Sequence, residues 1–241
     1  MSRTSAASLV SSQDIIDRLR SMESQNDKEG MARFGIRTDK AFGVSLYVLR
    51  DMAKEIGTNH DLALELWDSG YHEARIMASI IDDPKLVTEK QLDRWVADFD
   101  SWDVCDQCCS NLFARTQFAY DRAFKWPDDE REFVRRAGFV MMAALAVHDK
   151  KAGDKKFEQF FPIMKKHAGD DRNFVRKAVN WALRNIGKRN LTLNKSAIQA
   201  AEEIHALGTR SAKWIASDAL RELKSEKVQA RLESKARKEK R

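Results

Sequence analysis

The chain has 241 residues, of which 43% are hydrophobic, and it carries a net charge of +6. Only 10 glycines and 3 prolines are present, which argues against a β-rich or α/β fold and predicts an all-α protein. No G-x-G-x-x-G or G-x-x-x-x-G-K-[ST] motif occurs, and no apolar run approaches the roughly 18 residues of a membrane span. We therefore expect no phosphate loop and no membrane partner.

Charge is distributed unevenly along the chain. The net charge is −7 over residues 1–149, +9 over residues 150–195 and +5 over residues 221–241. Such a basic middle and end favour a polyanionic partner for part of the surface, although a solvated charged surface explains them equally well.

Helical periodicity runs through almost the whole chain. It predicts helices at 12–24, 43–56, 60–68, 71–82, 88–97, 102–114, 116–125, 129–147, 155–167, 172–187, 195–207 and 210–223. Residues 1–223 are expected to form one domain. The remaining basic tail, 224–241, shows no apolar periodicity after Leu232 and predicts either a frayed helix or a disordered segment.

Internal similarity is the main organisational signal. FVRRAGFVMMAAL (133–145) and FVRKAVNWALRNI (174–186) share F-V-R-[RK]-A at a spacing of 41 residues, with looser similarity in 72–81 and 209–220. A period of about 40 residues with two or three helices is typical of HEAT-like repeats. We expect a curved α-solenoid whose concave, basic face suits a long ligand.

The predicted helix at 172–187 has an apolar side and a basic side. Lys177, Trp181, Arg184 and Lys188 follow one another at spacings of 4, 3 and 4, so they share a stripe at the border of the core. Trp181 is either a half-buried core tryptophan or an aromatic ring in a cationic groove that meets bases or sugars.

The repeat aligns Arg136 with Lys177, and Arg135 with Arg176. Cations at the same position of consecutive repeats can follow a phosphate backbone. The candidate DNA contacts are basic residues of the repeats and of the turns beside them: Arg135, Arg176, Lys177, Arg184, Lys188, Arg189, Arg210 and Lys213.

The stretch SWDVCDQCC (101–109) contains all three cysteines of the chain. Trp102 and Asp106 are four residues apart and lie side by side on a helix. A carboxylate beside an indole can stabilise a cationic group, but a capping or salt-bridged aspartate next to a packing tryptophan has the same spacing.

The cysteines offer too few ligands for a structural zinc site and lack the βαβ setting of a redox C-x-x-C. Cys105, Cys108 and Cys109 are therefore predicted to pack in the core, and no metal or other cofactor is expected. Three clustered cysteines do not make a disulfide framework, so we expect a reducing, cytoplasmic location.

Four segments in this order, LALELWDSGYHEARIMAS, FDSWDVCDQ, FVRRAGF and FVRKAVNWALR, resemble the AlkD-like DNA alkylation repair family. These proteins are DNA glycosylases built of HEAT-like repeats, and the resemblance covers residues 31–223. It implies hydrolytic excision of positively charged alkylated purines, such as 3-methyladenine and 7-methylguanine, from duplex DNA. The cysteine-rich CDQCC, the shorter 31–37 segment and the basic tail depart from the family pattern and indicate a distinct subfamily.

The resemblance also implies the site residues. The family's W-x-x-x-D corresponds to Trp102 and Asp106, its arginine at a helix start to Arg136, and its second tryptophan to Trp181. Asp106 would stabilise the positive charge that builds on the deoxyribose, and it would hold the attacking water. The tryptophans would line the sugar and the base, and Arg136 would grip a phosphate.

Two other functions remain open. A DNA-binding protein without catalysis would keep the basic groove, whereas a HEAT-type scaffold would bind protein partners and have no need for these four residues. For the glycosylase we expect a monomer that acts without metal and associates with the nucleoid when bound to DNA.

Overall fold

The structure is a computed structural model, and it describes residues 10–239. Over these residues it is helical, with no strand, as the composition predicts. The α-helices are α1 Ser12–Ser21, α2 Gln25–Arg33, α3 Leu46–Ile56, α4 His60–Asp68, α5 His72–Ile81, α6 Glu89–Ala97, α7 Trp102–Asn111, α8 Ala119–Lys125, α9 Glu132–His148, α10 Asp154–Glu158, α11 Phe160–His167, α12 Asn173–Gly187, α13 Leu191–Ala206, α14 Arg210–Leu223 and α15 Glu226–Glu239. Short 3₁₀ helices span Phe113–Arg115 and Trp126–Asp128.

The chain divides into two compact units, one ending at Thr88 and the other beginning at Glu89. The sequence predicts no boundary at this point. In the first unit, α4 packs on α5, and both α1 and α3 also contact α5.

A buried carboxylate organises the connection between α2 and α3. Glu73 of α5 is 1% exposed and accepts hydrogen bonds from the backbone N–H groups of Phe42, Gly43 and Val44 at 2.7–3.2 Å. Gly43 has a φ of +79°, and a Cβ there would lie 2.6 Å from the Ser24 carbonyl oxygen. Glu73 therefore fixes a backbone conformation that only glycine adopts without strain.

The second unit is built around α9, in which 12 of 17 residues are buried. A helix buried on nearly all sides must be packed by several neighbours, and α9 contacts α7, α8 and α12. Helix α12 in turn contacts α14, and α13 packs against both α12 and α14. Gly138 lets the 3₁₀ helix Trp126–Asp128 pack closely on α9, because a Cβ there would lie 2.7 Å from Cγ of Pro127.

The repeat predicted from F-V-R-[RK]-A is also present in the structure, and it extends upstream. At the start of α9, Asp129 accepts hydrogen bonds from the backbone and side chain of Arg131, and at the start of α12 Asp170 does the same with Arg172. The rings of the repeated Phe133 and Phe174 lie 5.6 Å apart. Equivalent residues thus begin equivalent helices and contact each other across the repeat, as in HEAT-like folds.

Beyond shifts of a few residues at helix ends, the structure departs from the prediction in three places. Helix α2 was not predicted. The predicted 155–167 helix is two helices, because Pro162 lacks the N–H that would bond to the Glu158 carbonyl and its ring crowds that carbonyl. The tail forms α15, whose Val228 and Leu232 are buried against the unit. No helix within residues 10–239 is long and apolar enough to cross a membrane.

Candidate functional site

Asp106 and Arg136, predicted from separate helices, form a direct ion pair. Asp106 lies on α7 and Arg136 on the first turns of α9. The arginine Nε donates to Oδ1 at 2.9 Å, and its Nη2 donates to Oδ2 at 2.8 Å. This two-pronged geometry is the strongest form of the interaction, and it fixes the orientation of the carboxylate.

The third nitrogen of Arg136 also has a protein partner. Nη1 donates to the Phe174 carbonyl at 2.6 Å, in the first turn of α12. The side chain of Arg136 is 6% exposed, whereas that of Asp106 is 14% exposed. Asp106 is therefore the member of the pair that solvent, or a substrate, can reach.

Opposing effects set the ionisation of the pair. Burial raises the pKa of Asp106, while the Arg136 charge and its hydrogen bonds lower it. Burial lowers the pKa of Arg136, but Asp106 more than compensates and the pKa is raised. Both carboxylate oxygens accept an N–H, so the geometry is that of an ionised Asp106 and a charged Arg136.

The two tryptophans come from the helices on either side of α9. Trp102 is the first residue of α7, one turn before Asp106, and is half-buried. Trp181 is half-buried on α12, two turns after the Phe174 that Arg136 contacts. The predicted set thus lies on three packed helices, α7, α9 and α12, with the ion pair joining two of them.

Burial of the cysteines confirms their predicted packing role. Cys105, Cys108 and Cys109 are 0% exposed and form no disulfide. Cys105 and Cys109 direct their thiols toward the Phe133 and Ala137 carbonyls of α9, at 3.7 and 3.9 Å. Burial raises the pKa of both thiols, so they stay protonated and pack α7 onto α9. Residues 10–239 contain no group of three or more His, Cys, Asp or Glu side chains arranged to hold a metal.

The predicted DNA contacts fall into two groups. Lys177, Arg210 and Lys213 are exposed, and their side chains form no ion pair with a described residue. The others have protein partners: Arg135 pairs with Asp170, Arg184 and Lys188 with Glu222, Arg176 bonds to Asn173, and Arg189 donates to the carbonyls of Ala146, Asp149 and Ala152.

Sequence reasoning overlooked Trp214. This residue of α14 is 38% exposed, and the Arg176 guanidinium lies 5.2 Å from its ring centroid. Its neighbours Lys213 and Arg210 are exposed cations on the same helix. The cation-rich TRSAKW segment contained the signal, since a tryptophan among exposed cations is typical of surfaces that stack bases.

Comparison with known proteins identifies a family and a solved structure of similar fold. The model of a family described as DNA alkylation repair enzyme matches residues 15–223. A solved structure, with a TM-score of 0.72 and 23% identity, covers 80% of this chain and 83% of its own. It comes from work on a new family related to the HEAT-like repeat DNA glycosylases with affinity for branched DNA structures. None of the curated proteins compared matches the chain.

Proposed function

Because the chain belongs to the DNA alkylation repair enzyme family, we propose that it is a DNA glycosylase for positively charged alkylated purines in duplex DNA. The observation that carries the proposal is the Asp106 carboxylate, which Arg136 holds through two hydrogen bonds while part of its surface stays open.

A carboxylate is sufficient to catalyse cleavage of this glycosidic bond. Alkylation at a ring nitrogen gives the purine a positive charge and makes it a good leaving group. As the glycosidic bond breaks, positive charge develops on the deoxyribose, and a fixed carboxylate stabilises that charge and orients the attacking water. Neither step needs a metal or an organic cofactor.

Each of the other residues takes a role that follows from its contacts. Trp102 and Trp181, both half-buried, offer aromatic surface to the sugar and the cationic base. Arg136 is committed to Asp106 and to the Phe174 carbonyl. We therefore assign it as a positioning residue for Asp106, in place of the phosphate contact that the resemblance implies. Among the predicted DNA contacts, Lys177, Arg210 and Lys213 form no ion pair with a described residue, and we assign them to the DNA backbone.

The direct test is release of methylated purines from methylated duplex DNA by wild type and Asp106→Asn. We expect the variant to be slower by a hundredfold or more, the order of the effect of removing one charge-stabilising group. Asp103→Asn is the matched control, because Asp103 lies on the same helix but bonds to Ser101 and the Val104 N–H. Its rate should stay within about threefold of wild type, and all three proteins should bind undamaged duplex alike.

Asp106→Asn leaves Arg136 without its carboxylate, so stability must be measured alongside activity. The double variant Asp106→Asn/Arg136→Gln removes the unpaired charge and separates misfolding from lost chemistry. If the folded double variant still releases bases at the wild-type rate, Asp106 is not catalytic.

A second candidate is recognition of branched DNA without excision. The solved structure with TM-score 0.72 favours it, since that family is described as having affinity for branched DNA. It predicts that wild type releases no base and binds a four-way junction more tightly than a linear duplex of the same length.

A further inference from the structure

A cavity of about 600 Å³ lies at the C-terminal ends of α9 and α12, where α15 forms one wall. Five of its lining residues are basic and none is acidic. The five are Lys150, Lys188, Arg189, Arg231 and Lys235.

Helix α15 is held in place by specific contacts. Val228 and Leu232 are buried, and the Gln229 amide donates to the Leu223 carbonyl at 2.6 Å and to Asn194 Oδ1 at 3.0 Å. On the next face, Arg231 donates to the Lys188 carbonyl at 3.2 Å and Lys235 to the Arg189 carbonyl at 2.8 Å. The basic face of α15 is thereby directed to the cavity.

The negative ends of the neighbouring helices neutralise only part of the positive charge in this cavity. The C-termini of α9 and α12 together count as about one negative charge, and Glu222 pairs with Lys188 at 2.7 Å. Lys150 and Arg231 form no ion pair with a described residue, so they keep the cavity positive. Asp149 and Asp154 act on Arg189 from outside the lining and offset its charge.

We propose that this cavity is a second binding site for the phosphodiester backbone of DNA. The inference rests on the DNA-binding part of the proposed function. Lysine and arginine around a roomy, acid-free cavity suit a phosphate anion, and Arg231 presents a planar guanidinium to it.

The site is separate from Asp106, and its α15 wall lies beyond the region that the family model matches. Arg136 precedes Ala146 by ten residues on α9, and Phe174 precedes Lys188 by fourteen across α12, so the cavity is about 15–21 Å along these helices from the ion pair. Helix α15 begins after residue 223, where the family match ends. A DNA phosphate bound in this cavity would lie about half a helical turn of the duplex away from the lesion, or would belong to another DNA strand.

Lys150 provides the cleanest test, because it is exposed and its side chain bonds to no described residue. We would measure binding of an undamaged labelled duplex across a salt series for Lys150→Gln and Lys150→Glu. The matched controls are Lys151→Gln and Lys151→Glu at the neighbouring exposed position, which does not line the cavity. We expect Lys150→Glu to weaken binding about tenfold and Lys150→Gln to lower the salt slope by about 1, with changes below about twofold at Lys151.

A second pair of variants examines the α15 wall. Arg231→Gln/Lys235→Gln removes two lining cations, and Arg237→Gln/Lys238→Gln removes two exposed cations from the same helix away from the cavity. Only the first pair should weaken binding, with circular dichroism confirming that both retain their helix.

The outcomes separate this site from the catalytic one. Equal loss at Lys150 and Lys151 overturns the inference while leaving base release, and therefore the proposed function, intact. If inorganic phosphate raises the Tm of wild type but not of Lys150→Gln, and duplex binding is equal in both, the site takes free phosphate and the backbone proposal is wrong. If wild type binds no duplex, the proposed function fails and this inference fails with it.

Discussion

The assignment of Arg136 as a positioning residue predicts a large, pH-dependent loss of stability in Arg136→Met. The substitution keeps most of the side-chain volume but removes both hydrogen bonds to Asp106 and the one to the Phe174 carbonyl. Removing one partner of a buried ion pair costs about 3–5 kcal/mol. Asp106 keeps 14% exposure and some access to water, so we expect the lower end, about 3 kcal/mol at pH 7.

The sign of the pH dependence follows from Asp106. Burial raises its pKa and Arg136 opposes that effect, so the variant has a pKa raised further still. A carboxyl whose folded pKa lies above its unfolded value destabilises the fold when ionised, and protonation removes the penalty. The cost of Arg136→Met should therefore be largest near pH 7 and shrink as the pH falls toward about 4, the unfolded pKa.

Urea unfolding of wild type and variant, at several values between about pH 7 and about pH 4, measures this difference. Arg136→Lys is the control, since it keeps the charge but loses the two-pronged geometry, and it should lie between the two. A loss under about 1 kcal/mol, or one independent of pH, would refute the coupling of the two side chains.

Three further predictions test other parts of the molecule. Burial raises the pKa of Asp170, but hydrogen bonds from Arg172 and Arg135 lower it to about 2. Asp170→Asn should therefore reduce the free energy of unfolding by about 1–2 kcal/mol at neutral pH. In urea titrations, this difference between wild type and variant should disappear as the pH falls from about 4 to about 2. Gly138→Ala places a Cβ 2.7 Å from Pro127 and should lower the Tm by several degrees, whereas Gly153→Ala, with open space around it, should change the Tm little. Lys177→Gln should reduce the salt slope of duplex binding by about 1 without changing the Tm.

The sequence predicted the members of the candidate site but not the contact between two of them. Helical spacing alone puts Asp106 beside Trp102, and the F-V-R-[RK]-A repeat gives Arg136 and Lys177 equivalent positions. The bond between Asp106 and Arg136 joins residues 30 positions apart. Periodicity defines which face of a helix is buried, but not which side chain of the next helix contacts that face. The sequence therefore could not distinguish an Arg136 that binds a phosphate from an Arg136 that binds the Asp106 carboxylate.

The missed elements have similar physical causes. Helix α2 has no buried residue and therefore no apolar periodicity, and it begins at the Ser24 cap. The loop that leads from it to α3 is held by Glu73, which is distant in sequence. Helix α15 docks through two apolar residues, Val228 and Leu232, with the amide of Gln229 between them. One apolar pair is too little to separate a docked helix from a frayed one, and its polar partners lie on α13 and at the end of α14.

The Asp106–Arg136 ion pair has no net charge, but it can still stabilise a sugar cation that lies nearer to the carboxylate than to the guanidinium. At an effective dielectric constant of about 20, a sugar cation about 3.5 Å from Asp106 and about 7 Å from the Arg136 guanidinium gains about 2 kcal/mol, or about thirtyfold in rate. Removing Arg136 would increase this attraction, but only while Asp106 stays ionised. Base release by Arg136→Met should therefore rise with pH, and the midpoint of that rise should lie at a higher pH than in wild type. A profile parallel to wild type at all pH values would mean that Arg136 acts on the DNA directly and does not work through Asp106.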